Sequence, residues 1–333
     1  MSARVVARFI MCILAGWCGE ARAQFVPPSD LEEQRRVEEV MDGAVDSAMR
    51  EFDVPGAVVS VVKDGRLLFA RGYGFADRET RRRVLAAETV FQVGSVSKPV
   101  TATAVMQLVA QGKLDLRTDV NDYLKRFRVD GRFQRPVTVA DLLTHTAGFD
   151  VRLSGTAAPT EEGIPSLEDY LERDLPPRVR PPGRTLAYSN HGYTLLGYLV
   201  EIVSGRQFPD YVETAVLRPL GMRRSGFRLS GELAREAAIG YEPEPGGPRR
   251  AAPIHPNIVP AAGFDTTADD MAAFMIAHLE GGLPGLEPMH RRQFSVDPAL
   301  PGMTFGFFQG NENGVPLLYH GGGLRSTINS DRS

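Results

Sequence analysis

Cysteine is nearly missing from this 333-residue chain: the two present are Cys12 and Cys18. Both fall in a stretch that reads as a secretory signal. Arg4 and Arg8 form a positive region, Phe9 to Gly16 an apolar one, and Ala21-Arg22-Ala23 a small-residue cleavage site. Cleavage there leaves no thiol, which excludes cysteine nucleophiles, thiolate zinc sites and intrachain disulfides. A membrane-spanning run is also lacking. About 20 apolar residues are needed to cross a bilayer, and Glu20 and Arg22 end this stretch too early. A lipoprotein is the lesser alternative, because Leu14-Ala15-Gly16 is followed by Trp17, with Cys18 one place late. The expectation is a signal peptide over residues 1–23, a domain over 24–333, and a secreted or periplasmic protein with no stable membrane span. Losing three arginines and one glutamate with that segment moves the formal net charge from −3 to −5.

Excess positive charge is absent too, so nothing points to a nucleic-acid partner. Lysine is scarce: among 38 basic residues only Lys63, Lys98, Lys113 and Lys125 are lysines. No Gly-x-Ser-x-Gly occurs, and Gly321-Gly322-Gly323 comes long after any candidate serine. The α/β-hydrolase arrangement, where such a glycine loop precedes the nucleophile, is therefore excluded. Internal repeats and low-complexity tracts are likewise missing. What remains, 43% hydrophobic and 24% charged residues, is ordinary globular composition.

Apolar residues recur at helical spacing over Leu31 to Glu51. Valine-rich Ala57 to Val62, the Asp64-Gly65 turn signal and Leu67 to Gly74 predict a hairpin. Ser95 to Gln111 reads as a buried helix stopping at Gly112, with Pro99 tolerated in its first turn. Thr194 to Val203 and Ala268 to Leu279 are the clearest later helices. Phe305 to Phe308 and Val315 to Tyr319 read as strands joined around Asn313-Gly314. Arg81-Arg82-Arg83 reads as a solvated turn. The predicted fold class is mixed α/β (α+β): an antiparallel sheet built from N- and C-terminal strands with flanking helices, and an inserted, mostly helical lobe.

Ser-x-x-Lys occurs twice, at Ser60–Lys63 and Ser95–Lys98. In a strand, residues three apart point to opposite faces; on a helix they share one. Only Ser95 and Lys98 can therefore act as a chemical unit. A serine at a helix N-terminus has an unpaired backbone N–H and a favourable dipole, both suited to a developing oxyanion. Lys98 can serve as a base only if its surroundings lower its pKa, by desolvation or a second cation. Taken alone, the pattern fits a capping serine and a surface lysine equally well.

Further motifs follow in order. Tyr188-Ser189-Asn190 ends the run Pro182 to Asn190, and His320-Gly321-Gly322 lies near the C-terminus. Leu142-Leu143-Thr144-His145-Thr146-Ala147-Gly148 and Arg218-Pro219-Leu220-Gly221-Met222 accompany them. With these the chain resembles the serine β-lactamases and penicillin-binding D-alanyl-D-alanine peptidases, especially the class C type and its esterase relatives. The similarity runs from roughly Val37 to the chain's end. The resemblance implies a β-lactamase/transpeptidase-like fold, no cofactor or metal, and a small-molecule or peptide substrate.

Position by position, it implies that Ser95 is the nucleophile and that Lys98 with Tyr188 forms the proton relay, with either as base. A nearby ammonium would favour the Tyr188 phenolate. Asn190, His320 and Gly322 would contact substrate, His320 lying on the strand that edges the site. The backbone N–H groups of Ser95 and Gly323 would form the oxyanion hole. His145 belongs to a phrase that reads as architectural and stays outside the site. His320 departs from the lysine of true class C β-lactamases, which shifts weight from β-lactams towards peptides or esters. The family pattern continues past this strand with a further strand and a helix, whereas the sequence given stops at Ser333. The expected function is hydrolysis of an amide or ester through an acyl-enzyme. The alternative is a weak or inactive penicillin-binding-like homologue or sensor, so low activity is expected of this polypeptide.

Overall fold

The computed structural model describes residues 28–324. The predicted signal peptide and the expectation drawn from the chain's end both lie outside the described residues. A helix spans Pro28–Glu51 and packs on a hairpin formed by Gly56–Lys63 and Arg66–Asp77. Asp64 and Gly65 both have positive φ, at 50° and 71°, as a tight two-residue hairpin turn requires. The helix is tied to the strands by charge: Lys63 Nζ lies 2.6 Å from Glu33 Oε2, and the Tyr73 hydroxyl donates to Asp42 at 2.7 Å.

The predicted solvated turn at Arg81-Arg82-Arg83 holds at Arg81, which is an exposed turn residue, and is corrected at the next two. Arg82–Arg83 is a short strand that pairs with the hairpin, the Arg82 guanidinium donates to the carbonyls of Glu236 and Ala237, and Arg83 stacks 4.5 Å from the Phe75 ring centroid. Three consecutive arginines look solvated in sequence, but each guanidinium is planar and can cap carbonyls or stack on an aromatic face.

The core is organised around the helix Ser97–Ala110. Residues 97 to 108 are all buried, as expected of a helix surrounded by protein. Its buried hydroxyls are satisfied: Thr101 donates to Pro260 O at 2.6 Å and Thr103 to Pro99 O at 2.9 Å. A second buried helix, Asn190–Ser204, packs across it. That helix is capped by the Ser189 hydroxyl, which accepts the Gly192 N–H at 3.0 Å, and it ends at Gly205 in the left-handed region. The helix Ala268–Glu280 packs against Gly56–Lys63.

At the C-terminal end, strands Phe308–Glu312 and Val315–Tyr319 pair around Asn313-Gly314, as predicted, and Gly302–Met303 adds a short third strand. The first of these starts later than the sequence predicts. Gly306 takes φ 102°, and a Cβ there would fall 2.7 Å from the Ala102 side chain. The chain therefore turns beside the central helix before extending. The mixed helix-and-sheet architecture is as expected, with strands from both ends and helices between. Among the described residues these strands form two three-stranded antiparallel sheets rather than one ladder. No helix among the described residues is long and apolar enough to cross a membrane.

Candidate active site

Val93, Gly94 and Ser95 enter the central helix through a 3₁₀ turn at Gly94–Val96, so Ser95 sits just before the α-helix rather than at its first residue. Ser97 holds this turn. Its hydroxyl donates to Gly94 O at 2.5 Å and accepts the Phe264 N–H at 2.9 Å. Sequence reasoning passed over Ser97; its place inside the motif was the available signal.

The turn still puts Ser95 and Lys98 on one side. Lys98 Nζ lies 3.1 Å from Ser95 Oγ and donates to Ala261 O at 2.9 Å. The rings of Tyr188 and Tyr193 flank it, their centroids 4.7 and 5.8 Å from Nζ. Lys98 is fully buried, and burial pushes its pKa well below the usual lysine value. Desolvation alone accounts for this; no second cation is involved.

Tyr188 stands immediately before the capping residue Ser189, so the start of helix Asn190–Ser204 fixes where its ring can go. Its hydroxyl hydrogen-bonds the Ser95 side chain, but burial outweighs that bond and pushes the phenol up to about 12. Of the two candidate bases the sequence left open, Tyr188 is the one that burial holds protonated. The same burial disfavours the charged form of Lys98, the ammonium that would have favoured a phenolate. A desolvated amine and a phenol held protonated by burial both face one hydroxyl. Such an arrangement can take a proton from the hydroxyl at the amine and return one from the phenol.

His320–Gly323 closes the other side. The strand ends at Tyr319, so His320 follows it rather than lying on it. Close packing places this segment: a Cβ on Gly322 would fall 2.1 Å from Val93 O, and one on Gly94 would fall 3.0 Å from Gly323 N. Only glycine permits backbones to approach so closely. The Gly323 amide therefore lies against the loop that carries Ser95. His320 Nδ1 is 2.7 Å from Gly321 O, which assigns its proton to Nδ1 and leaves Nε2 as an acceptor, buried and without a partner. Burial first, then the nearby Lys98, lowers its pKa to about 4.

Together Ser95, Tyr188, His320, Gly321, Gly322 and Gly323, with Phe308 and Tyr319, line a cavity of about 460 Å³. Phe308 and Tyr319 were missed by sequence reasoning; they form a stacked aromatic wall with centroids 5.6 Å apart. Asn190 is not part of the cavity wall. It heads the helix behind Tyr188, and its Oδ1 is buried without a partner. Among the described residues no group of His, Cys, Asp or Glu side chains is placed to hold a metal ion.

A family model described as Beta-lactamase matches residues 41–332. The chain belongs to this family. Among its relatives, the esterase EstB of Burkholderia gladioli is 36% identical over 219 residues, covering 62% of this chain and 55% of its own. Penicillin-binding protein 4 of Amycolatopsis lactamdurans is 32% identical over 258 residues, covering 72% and 63% respectively. The chain thus spans little more than half the length of these curated relatives. The structure of the octameric penicillin-binding protein homologue from Pyrococcus abyssi superposes with a TM-score of 0.72 at 27% identity, covering 84% of this chain and 67% of that one. In this beta-lactamase-family chain all of the quoted motifs fall within the matched span.

Proposed function

We propose that this protein is a serine hydrolase that works through an acyl-enzyme on Ser95. One observation carries the reading: a buried lysine amine, desolvated and 3.1 Å from Ser95 Oγ, with a protonated phenol on the same hydroxyl. Lys98 takes the Ser95 proton as Oγ attacks the substrate carbonyl carbon. The resulting oxyanion is held by the backbone N–H groups of Ser95 and Gly323. Collapse breaks the bond to the leaving group, which receives a proton through Tyr188, and the relay is restored from Lys98. Water, deprotonated by Lys98, then attacks the acyl carbon; as the bond to Ser95 Oγ breaks, Lys98 returns that proton to Oγ and the serine is freed.

The substrate we favour is a neutral ester. A carboxylate-bearing β-lactam or peptide needs a donor or fixed positive charge where His320 stands, and a neutral imidazole with Nε2 unprotonated supplies a lone pair instead. The aromatic wall of Phe308 and Tyr319 suits an apolar acyl or aryl group. The name of the related esterase EstB agrees with this preference. Export, carried by residues 1–23, is part of the proposal. A mature protein recovered from a secreting host should begin at Gln24.

Intact-mass spectrometry after incubation with a fluorophosphonate, followed by peptide mapping, tests the nucleophile. One adduct on the peptide containing Ser95, absent from Ser95→Ala, is the expected result. Labelling elsewhere, or undiminished ester turnover by Ser95→Ala, would sink the reading. Acylation by a penicillin without any turnover of p-nitrophenyl acetate would favour a sensor.

A further inference from the structure

His145 belongs to the loop after the short helix Val139–Leu143, a phrase that reads as architecture. Its surroundings are more specific than that. The residue is buried and sits in the left-handed region, at φ 56°. Its backbone carbonyl accepts the Ala187 N–H at 2.8 Å, and its side-chain Nδ1 accepts the Ser189 N–H at 3.1 Å. The imidazole packs on the ring between those two residues: Tyr188 lies 4.3 Å away, centroid to centroid, and Tyr193 4.9 Å. The chain is therefore gripped immediately before and after Tyr188, and the tyrosine ring has a wall behind it.

The loop is in turn well anchored. Gly183 N–H donates to Thr146 O at 2.9 Å and Val179 N–H to Gly148 O at 2.9 Å. Tyr193 donates to Leu143 O at 2.9 Å. Because Nδ1 accepts a backbone N–H, the imidazole is neutral and carries its proton on Nε2. Burial and the nearby Lys98 both disfavour a second proton. A cation at this position would lose the Ser189 bond and face the lysine.

We infer that His145 is the positioning residue of the reaction proposed above: by gripping residues 187 and 189 and backing the ring, it aims the Tyr188 phenol at Ser95. The inference rests on the Ser95 acyl-enzyme reading. It adds that a residue with no place in the cavity wall sets the geometry of proton return. Misplacing a catalytic group by about 1 Å can lower a rate by about 100-fold.

The test is a double-mutant cycle between His145 and Tyr188, read as ester turnover. His145→Ala removes both the Nδ1 acceptor and the ring. It should lower kcat by about 50-fold and move KM by less than about threefold. His145→Asn places an amide oxygen near the Nδ1 position and tolerates the left-handed backbone, so it should recover about tenfold of that loss. In a Tyr188→Phe background the alanine change should cost less than about threefold, because the phenol it aims is already gone. Equal losses in both backgrounds would make His145 merely structural and overturn the inference. Should the alanine variant not fold, the asparagine variant is carried through the same cycle, and equal effects in both backgrounds are again fatal. The fluorophosphonate label on Ser95 keeps the two ideas apart. If labelling and the Ser95→Ala loss hold while the cycle is additive, only the His145 role fails; if Ser95 is not labelled, the parent reading fails.

Discussion

The same four-residue pattern occurs twice in this protein and comes to opposite ends. Ser60 and Lys63 share the strand Gly56–Lys63, where the period of two turns them apart. Ser60 is buried with an unpartnered hydroxyl, and Lys63 reaches outward to Glu33 on the N-terminal helix. Ser95 and Lys98 share the entry to a helix, where the period of 3.6 turns them together. Lys98 there is buried against Ser95 and Ala261, and no carboxylate contributes to its electrostatics. Chemistry follows from backbone conformation and burial, not from the letters of the motif.

The sharpest way to break this comparison is to delete each serine. Ser95→Ala should lower ester kcat by about 1,000-fold or more, as loss of a nucleophile does. Ser60→Ala should change it by less than about threefold. Comparable losses at both sites, measured with p-nitrophenyl acetate, would end the distinction.

Deleting each lysine comes next, and here activity and stability should move in opposite directions. Folding lowers the pKa of Lys98, so below the unfolded value of about 10.4 the unfolded chain binds more protons than the folded one. Lys98 therefore opposes folding at neutral pH, and the penalty is relieved as pH rises towards that value. Lys98→Met should abolish turnover yet raise Tm by several degrees, at roughly 2–4 °C per kcal/mol for a chain of this size. Lys63→Met removes an exposed ion pair of the kind that contributes about 0–1 kcal/mol, and should leave both nearly unchanged. Differential scanning calorimetry beside the activity assay decides it.

The pH profile sharpens the same point. Since the base acts deprotonated, kcat/KM should climb as pH rises through the depressed pKa of Lys98. It should then stay level across the working range, because the phenol of Tyr188 ionises only near 12. An alkaline fall near pH 8 would contradict the protonated phenol.

Smaller effects should come from the wall facing the serine. Gly322→Ala sets a methyl group against Val93 O, 2.1 Å away. With a backbone carbonyl so close and Val96 beside it, a loss of about 1–3 kcal/mol in stability is expected from urea titration. His320→Lys is the mildest: it should raise acylation by a labelled penicillin relative to ester turnover by about tenfold, by supplying the missing positive charge.

Much of this was legible before any coordinates. The hairpin at Asp64-Gly65, the helices read over Thr194 to Val203 and Ala268 to Leu279, and the pairing around Asn313-Gly314 are local matters of turn chemistry and apolar period. Ser95 and Lys98 could be joined because the helix period needs no tertiary information. The rest was not legible, for reasons visible in particular residues. The protonation of Tyr188 depends on how dry its surroundings are, so the sequence left open whether it or Lys98 acts as base. His145 looked like loop architecture because its link to residues 187 and 189 spans more than 40 positions. Phe308 and Tyr319 became a cavity wall only once the C-terminal hairpin met the central helix.

Sequence alone determined which side chains could work as local units: a serine and lysine one helical turn apart, the run Tyr188-Ser189-Asn190, a run of glycines after a histidine. Tertiary structure alone decided their charge states and their meeting. A pKa is set by how much water remains around a group, and contacts such as Gly322 on Val93 join segments that no local period connects. Burial turned a lysine into a candidate base, and the packing of distant loops aimed a phenol at the same hydroxyl.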